Sequence, residues 1–404
     1  MKIAIVTERM IVGGTETYII RKSRWLLNHG HQVVVISEGG ELAGALPDGV
    51  KHVTVDFTGR PPYHFGKKQL SKRIMQLADI LLENQVDVIE THVSCSIRYV
   101  AMSYRYHRIP YCLNVLMESA YDNRSLSGLN GLTRALDRRG LYMTLTERMN
   151  IYIERKCHHK LHPKILPIPL PLPLKKGLDV EPIVLTVGRL SPEKMYLRYL
   201  IDDFTELARA KRISEEIRLV VIGEGALYEE IRRQVDVANE ALGREAVVME
   251  GTVVGERLDQ LYEQCLAYVG VGTTLLIAAS FGKPAIIASC VKKYQPYAFG
   301  FWGEEPEKDG ILIGGDESVI SRRTSFKEVI EAVVMDRELR RDVSEASLKL
   351  FKEVYDMDSI MEKWSRIYED VSARLYDKSL GRRIFQLYIH YCICFVLKKI
   401  RQLF

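Results

Sequence analysis

The sequence is short of the features that mark secreted, membrane-spanning or nucleic-acid-binding proteins. Its seven cysteines are an odd, scattered number in 404 residues, which argues against a disulfide framework and indicates reduced thiols in a cytoplasmic setting. The sequence contains no run of 18 or more apolar residues, which argues against a conventional membrane span. Glu8 and Arg9 interrupt the first apolar stretch too early for a secretory signal. The net charge of +5 is too small to indicate a nucleic-acid partner.

What the sequence does contain is an alternation of short apolar runs and helical patterns. Lys2–Thr7 predicts a buried strand, followed by a loop with Gly13-Gly14, a helix capped by Thr15, and a second strand over Val33–Ile36. This order predicts a parallel sheet, in which ligands bind at the carboxyl ends of the strands. The two glycines therefore indicate either close approach of the backbone to a ligand or a plain tight turn.

The same rhythm continues through the first half of the chain. A helical pattern over Leu70–Asn84 precedes a short strand that leads into His92, and a strand over Tyr111–Leu116 leads to Glu118. Both polar side chains are expected at strand ends, where ligands bind. Hydrogen-bonded polar residues at a sheet edge are an equally good interpretation of each.

A proline-rich segment divides the chain. Leu166–Leu174 alternates leucine or isoleucine with proline, which excludes a helix or a central strand and predicts an extended linker. After it the pattern restarts, with strands predicted at Ile183–Val187, Leu219–Ile222, Val247–Met249, Cys265–Val269 and, as the last clear strand, Pro284–Ala288.

Two loops of the second half carry groups suited to anions. Arg189 and Lys194 lie five positions apart after a strand, where a guanidinium and an ammonium can share one phosphate. Gly270–Thr274 supplies flexible backbone amides and two hydroxyls at a predicted helix start, a second phosphate cradle. For either loop alone a solvated surface is the commoner explanation, but two anion sites at one sheet edge favour phosphate binding.

Four ordered motifs carry a family resemblance: VGRLSPEK, VVIGEGAL, MEGTV and GVGTTLLIAASFGKPAIIAS. Together with the opening KIAIVTE, VGGTETY and HGHQVVVIS, they resemble the retaining GT-B glycosyltransferases of family four over roughly residues 1–370. The resemblance implies an α/β fold with two Rossmann-like doubly wound domains facing across a cleft. It also implies a UDP- or GDP-sugar donor on the second domain, an acceptor on the first, and no metal cofactor.

The resemblance also assigns residues to the donor. Arg189 and Lys194 fall on the catalytic pair that neutralises the departing diphosphate. The other matching positions are expected to contact the donor through backbone or hydroxyl groups: Gly13, Gly14, Thr252, Val253, Gly272, Thr273 and Thr274.

The sequence departs from the family at the groups that would hold the sugar. The family has two glutamates eight positions apart, and Val269 and Ile277 stand at those positions. Three explanations compete. Glu16, His92 or Glu118 takes over contacts to the sugar or acceptor, the donor is unusual, or the chain is a catalytically inactive subunit that supports a partner glycosyltransferase.

The carboxyl-terminal tail combines apolar and basic residues. Ile384–Leu397 is apolar, with Arg382-Arg383 before it and Lys398-Lys399 and Arg401 after it. Fourteen helical residues reach about 21 Å, too short for a roughly 30 Å hydrocarbon core but suited to the membrane interface. A helix packed on the protein or on a partner chain is the alternative.

Charge is unevenly distributed along the chain. Residues 1–175 hold 24 basic and 15 acidic residues, residues 176–377 hold 27 and 37, and residues 378–404 hold six and none. Basic clusters in the first half, such as Arg21-Lys22 with Arg24 and Lys67-Lys68, predict either solvated faces or a surface toward anionic lipid.

These observations predict a glycosyltransferase that acts on a surface-glycan or lipid-linked acceptor at the cytoplasmic face of a membrane, without nucleic acid. The predicted parts are an acceptor-side domain (1–165), a linker (166–175), a nucleotide-sugar domain (176–355), a helix that crosses back (356–377) and a membrane-associating tail (378–404).

Overall fold

The computed structural model describes residues 1–11, 13–92, 95–117, 121, 129–289, 298–304 and 324–401. The chain divides into two compact units. Unit 1 comprises Met1–Pro169 together with Asp358–Phe404, and unit 2 comprises Leu170–Met357. The carboxyl-terminal segment therefore belongs to the same unit as the amino terminus.

Unit 1 is built on a seven-stranded parallel sheet with the strand order β3-β2-β1-β4-β5-β6-β7. Its strands are β1 (Lys2–Val6), β2 (Gln32–Ser37), β3 (Lys51–Thr54), β4 (Val88–His92), β5 (Tyr111–Val115), β6 (Tyr142–Thr144) and β7 (Lys164–Ile165). Its helices are α1 (Gly14–Asn28), α2 (Lys67–Glu83), α3 (Cys95–His107), α4 (Leu129–Asp137) and α5 (Glu147–Cys157), joined later in the chain by α12 (Met357–Ser372) and α13 (Lys378–Arg401).

Unit 2 repeats this plan with a six-stranded sheet in the order β10-β9-β8-β11-β12-β13. Its strands are β8 (Ile183–Val187), β9 (Arg218–Ile222), β10 (Val247–Glu250), β11 (Ala267–Gly270), β12 (Ala285–Ala288) and β13 (Ala298–Phe301). Its helices are α6 (Tyr196–Arg209), α7 (Tyr228–Leu242), α8 (Glu256–Gln264), α9 (Thr273–Ser280), α10 (Phe326–Met335) and α11 (Arg337–Val354).

The predicted strands are confirmed to within two residues at their ends, except that β4 extends to His92, beyond the Val88-Ile89 pair that the pattern predicts. Most are short apolar runs that the sheet buries on both faces. Two further details of the prediction are wrong. Pro284–Ala288 is not the last strand, since the antiparallel β13 follows it. Thr15 does not cap α1: the N-cap is Gly13, and no side chain makes the capping hydrogen bond.

Helix α12 is held in unit 1 by polar as well as apolar contacts. Trp25 in α1 donates a hydrogen bond from Nε1 to Asp358 Oδ1 at 2.6 Å, and Trp364 and Tyr368 are almost completely buried. The linker region is largely irregular, as the alternating prolines predict, and Leu170 N donates to the Tyr355 carbonyl at 3.0 Å.

The tail helix α13 has two different faces. Leu380, Ile384, Leu387 and Tyr391 are buried against unit 1, where α13 contacts α3, α4 and the turn at 62–64. Its opposite side leaves apolar side chains in solvent, about half exposed: Phe385, Ile389, Ile393, Val396 and Leu397. The helix therefore packs on the protein through one face only. Within the described part of the chain, no helix is both long enough and apolar enough to span a membrane.

Candidate functional site

In unit 2, the two anion-binding loops lie beside each other at the carboxyl edge of the sheet. β8 and β11 are neighbours at the point where the strand order reverses. Arg189 and Lys194 follow β8, and Gly272–Thr274 follow β11. A crevice outside the carboxyl ends of two such strands is where open α/β sheets bind ligands.

Backbone hydrogen bonds fix the loop after β8 against its neighbour. Gly188 N donates to the Ile222 carbonyl at 2.9 Å, and Leu190 N donates to the Glu224 carbonyl at 2.9 Å. Gly223 has φ +141°, and a Cβ there would collide with the Gly188 carbonyl. Glycine is therefore required where these two loops touch, and the loop that carries Arg189 starts from a fixed position.

The same loop folds back on itself around its lysine. The Lys194 ammonium lies so close over Gly188 that a Cβ at that glycine would overlap it. Lys194 is half-buried, whereas Arg189 is exposed. The ammonium therefore lies at the end of β8, and Arg189 is the more exposed of the two residues.

Helix α9 begins directly after β11 and directs its amino terminus to this edge. Gly272 is its N-cap with φ +74°, and no side chain caps the helix. Thr274 Oγ1 donates to the Val271 carbonyl at 3.2 Å. Because first-turn amides have no partner within a helix and carry a partial positive charge, the start of α9 is suited to an anion.

Val269 and Ile277, the two positions at which the sequence predicts departures from the family pattern, occupy different environments. Val269 lies in β11, is completely buried and belongs to the hydrophobic core of unit 2. Ile277 lies one turn into α9 and is half-buried. Thr252, exposed, and Val253, half-buried, follow β10 on the same side of the sheet.

Unit 1 brings a second group of predicted residues together at its own point of strand reversal, between β1 and β4. Gly13 and Gly14 begin α1, and the Glu16 carboxylate folds back over Gly13. Burial raises the pKa of Glu16, while the nearby His92 acts in the opposite direction. His92 is the last residue of β4 and is almost completely buried. Glu118 lies outside the described residues.

A buried charge cluster behind His92 was not predicted. Glu90 in β4 and Lys22 in α1 are both completely buried, and Lys22 Nζ lies 2.6 Å from Glu90 Oε2. Asn114 donates to Glu90 Oε1 at 2.9 Å, and the Tyr368 hydroxyl donates to Glu90 Oε2. Although burial opposes it, Lys22 and His92 hold the pKa of Glu90 well below its ordinary value.

The interpretation of Lys22 as part of a solvated or lipid-facing basic cluster is therefore wrong. Its ammonium lies 3.2 Å from the centroid of the Trp364 ring and donates to Tyr18 Oη at 2.9 Å. The periodicity of α1 carries the signal, since Tyr18, Lys22 and Trp25 share the buried face.

The cluster also determines what His92 can do. His92 Nε2 lies 3.2 Å from Glu90 Oε1, whereas its Nδ1 is buried and makes no hydrogen bond in the described part of the protein. One ring nitrogen is therefore fixed by a carboxylate, and the other is buried at the end of β4 without a hydrogen-bond partner among the described residues.

Comparison with known proteins now identifies the family. A model described as "Glycosyltransferase Family 4" matches residues 12–145, and one described as "Glycosyl transferases group 1" matches residues 181–317. Together they span about two thirds of the chain, and each falls within one unit. The chain belongs to the family 4 glycosyltransferases. The predicted resemblance is confirmed.

Solved structures confirm the GT-B fold of this glycosyltransferase. HepE of Anabaena in complex with UDP is 14% identical, with a TM-score of 0.65, over 92% of this chain and 100% of the other. Sucrose-phosphate synthase of Thermosynechococcus elongatus is 16% identical, with a TM-score of 0.64, over 92% and 99%. The lipopolysaccharide outer core galactosyltransferase WaaB is 16% identical, with a TM-score of 0.57, over 92% and 100%. No curated protein matches the sequence.

The described residues include no group of three or more histidine, cysteine, aspartate or glutamate side chains arranged to hold a metal ion. At the carboxyl edge of unit 2, the cations Arg189 and Lys194 lie in the loop beside the one that contains Glu224.

Proposed function

We propose that this glycosyltransferase moves a sugar from a UDP- or GDP-sugar to a surface-glycan or lipid-linked acceptor, with retention of configuration. The observation that carries the proposal is the pairing of Arg189 and Lys194 with the amino terminus of α9 across neighbouring strands of unit 2. The solved structures named above add support, because HepE is recorded with UDP and WaaB acts on lipopolysaccharide.

The chemistry follows from the charge that develops on the leaving group. When the bond between the sugar and the diphosphate breaks, negative charge accumulates on the phosphate oxygens. Arg189 offers paired N–H donors, Lys194 a point charge, and the amides at Thr273 and Thr274 the positive end of a helix. Such preorganised groups stabilise the transition state more than the ground state. In unit 1, Glu16 and His92 are proposed to contact the sugar or acceptor.

The experiment measures donor binding and turnover in the full chain. UDP, GDP and their sugars are tested by thermal shift, and donor hydrolysis is followed by release of the nucleotide. We expect Arg189→Ala and Lys194→Ala each to reduce turnover by at least about 100-fold, as loss of one transition-state donor does. Arg209→Ala, an exposed change at the end of α6, is the matched control. Full activity in both site variants would contradict the assignment.

A second candidate function rests on Val269 and Ile277. Neither can accept a hydrogen bond from a sugar hydroxyl, and an unpaired polar group in a closed site costs about 1–3 kcal/mol. The alternative is a catalytically inactive subunit that supports a partner glycosyltransferase. Nucleotide binding without hydrolysis or transfer, or no nucleotide binding at all, favours this alternative; transfer to any acceptor excludes it.

We also propose that α13 attaches the enzyme peripherally to the cytoplasmic face of a membrane. Its exposed apolar residues Phe385, Ile389 and Ile393 repeat every four positions and continue to Val396 and Leu397, so they form one stripe. Exposed Arg382, Arg383 and Lys398 lie at the two ends of the stripe. An apolar stripe with basic ends suits the interface of an anionic bilayer.

Because the other face of α13 packs on unit 1, point substitutions test this proposal better than truncation. We expect Ile389→Glu with Ile393→Glu to reduce co-sedimentation with vesicles of phosphatidylglycerol and phosphatidylcholine at least tenfold, without lowering the melting temperature. Lys352→Glu, exposed in unit 2, changes charge without touching the stripe and serves as the control. Unchanged co-sedimentation of the double variant would exclude α13 as the anchor.

A further inference from the structure

The two anion-binding loops of unit 2, with Arg189 and Lys194 after β8 and Gly272–Thr274 after β11, are called the donor loops below. Unit 2 has a second cationic recess at the opposite edge of the same sheet. A cavity of about 570 Å³ opens where β8, β11 and β12 begin, beside the first two turns of α11. Its lining combines a small apolar floor with four cations: Val180, Cys265, Leu266, Gly282, Lys283, Pro284, Arg337, Arg340, Arg341 and Ser344. Strands of four or five residues separate the two edges by about 13–17 Å, so the cavity is distinct from the Arg189 loop.

Lys283 is the unusual member of this lining. It is only 9% exposed, and within the described residues its ammonium has neither a hydrogen bond nor an ion pair. Burial lowers its pKa from the ordinary value; Cys265 and Glu263 act in the opposite direction, and Lys175, whose ammonium lies near Gly282, acts in the same direction as burial. The side chain is buried along its stem, and its ammonium meets the cavity without a hydrogen-bonded anion among the described residues.

The three arginines are held at the same recess by α11. Arg340 Nη1 donates to the Val333 and Val334 carbonyls at 2.8 and 2.9 Å, which fixes its guanidinium against the end of α10. Arg341 is exposed and lies 3.0 Å from Asp342. Arg337, at the first position of α11, is exposed and has no ion pair among the described residues.

Acidic groups neutralise this recess only in part. Glu338 and Asp342 pair with Arg341, and Glu263 acts on Lys283 through its charge, without a hydrogen bond or ion pair to it among the described residues. Glu263 is buried, and its carboxylate accepts hydrogen bonds from the backbone amides of Lys176, Gly177 and Leu178. Among the residues that the structure describes, no carboxylate lines the cavity. The unit as a whole is acidic, since residues 170–357 hold 25 lysines and arginines against 32 aspartates and glutamates. The four cations that line the cavity are therefore opposite in sign to the net charge of their unit.

We propose that this cavity, which we call the basic recess (Lys283, Arg337, Arg340 and Arg341), binds a phosphate group carried on a small soluble molecule. Guanidinium groups bind phosphate bidentately, and the ammonium of Lys283 adds a point charge. The apolar floor and the volume leave room for the rest of a phosphorylated metabolite. This proposal does not depend on the activity proposed for the donor loops.

The test uses inorganic pyrophosphate as the probe, in a variant whose donor loops have lost their two cations; this variant is called the silenced chain. In the full chain carrying Arg189→Ala and Lys194→Ala, calorimetry should detect about one bound pyrophosphate. Adding Lys283→Gln or, separately, Arg337→Gln should weaken that binding at least tenfold. Lys349→Gln, exposed farther along α11 and outside the lining, should leave it unchanged. Arg337 is exposed, so its variant retains the fold even where replacement of Lys283 does not.

Three outcomes would overturn the proposal. Pyrophosphate binding in the silenced chain that survives Arg337→Gln would place the phosphate elsewhere. If the silenced chain binds no pyrophosphate, the basic recess is not a phosphate-binding site. Arg337-dependent binding to vesicles of phosphatidic acid, without binding of pyrophosphate, would assign the recess to a lipid headgroup instead. Conversely, UDP-induced stabilisation of the chain with intact donor loops should persist in Lys283→Gln.

Discussion

The two units share a strand order but place their charges differently. The strand beside the central reversal is β4 in unit 1 and β11 in unit 2. β4 contains Glu90, a buried carboxylate with cationic and hydrogen-bonding partners, whereas β11 contains Val269 in an apolar core. Unit 1 thus places ionic groups inside its sheet, and unit 2 places them on the loops that leave it. Charge in the sheet orients neighbouring groups, while charge on the loops remains able to bind a ligand.

The largest expected effect comes from imposing the charge pattern of unit 1 on unit 2. Val269→Glu would place a carboxyl in the core without a partner. The pKa of such a buried group rises by about 3–5 units, so the carboxyl is neutral near pH 7, and taking up that proton costs up to about 4 kcal/mol. Burial of the neutral carboxyl without a hydrogen-bond partner adds about 1–3 kcal/mol. We therefore expect unit 2 to be unfolded or severely destabilised, as measured by urea denaturation.

Ile277→Glu is the matched control, because Ile277 is half-buried in α9 and a carboxylate there can reach solvent. We expect a loss below about 1.5 kcal/mol, within the ordinary range of single substitutions. If Val269→Glu and Ile277→Glu lower the free energy of unfolding by similar amounts, the burial of Val269 does not determine the cost of a carboxyl at that position.

The converse change removes charge from unit 1. Glu90→Ala leaves the Lys22 ammonium buried without its carboxylate, and breaking a buried pair in this way costs about 3–5 kcal/mol. The double variant Lys22→Met with Glu90→Leu removes both charges and should lose less than Glu90→Ala alone. Urea denaturation of the single and double variants measures the difference. If the double variant loses as much free energy of unfolding as Lys22→Met and Glu90→Leu lose when their single effects are added, the two groups are not coupled.

The same carboxylate predicts a pH dependence. Its pKa lies below the unfolded value of 4.5, so its contribution to stability is present above that pH and is lost as the pH falls below it. The melting temperature of the wild-type chain should therefore decline on acidification below about pH 4.5. Glu90→Gln should start lower and decline less steeply over the same range. Parallel curves for the two proteins would argue against Glu90 as the titrating group.

The sequence predicted what depends on local pattern and not what depends on pairs distant in the chain. Strands and glycine loops were predicted because apolar runs and Gly188, Gly223 or Gly272 act within a few residues. The partners of Lys22 were not, since Glu90 lies 68 positions away and Tyr368 belongs to the returning helix. A lysine beside Arg21 and Arg24 has the composition of a surface cluster, and only its place on the buried face of α1 indicates otherwise.

The smallest expected effect tests how far the charge cluster of unit 1 depends on the returning helix α12. Tyr368→Phe removes one hydroxyl that donates to the Glu90 carboxylate, and hydrogen bonds to charged groups contribute about 1.5–3 kcal/mol. Tyr111→Phe is the control in the same unit, because its buried hydroxyl has no hydrogen-bond partner among the described residues, and its loss should be near zero or favourable. Urea denaturation of both variants distinguishes a specific bond from a general effect of losing a tyrosine hydroxyl. Equal effects of the two substitutions would mean that Glu90 keeps its charge without the hydroxyl from α12, and that Lys22 and Asn114 are sufficient.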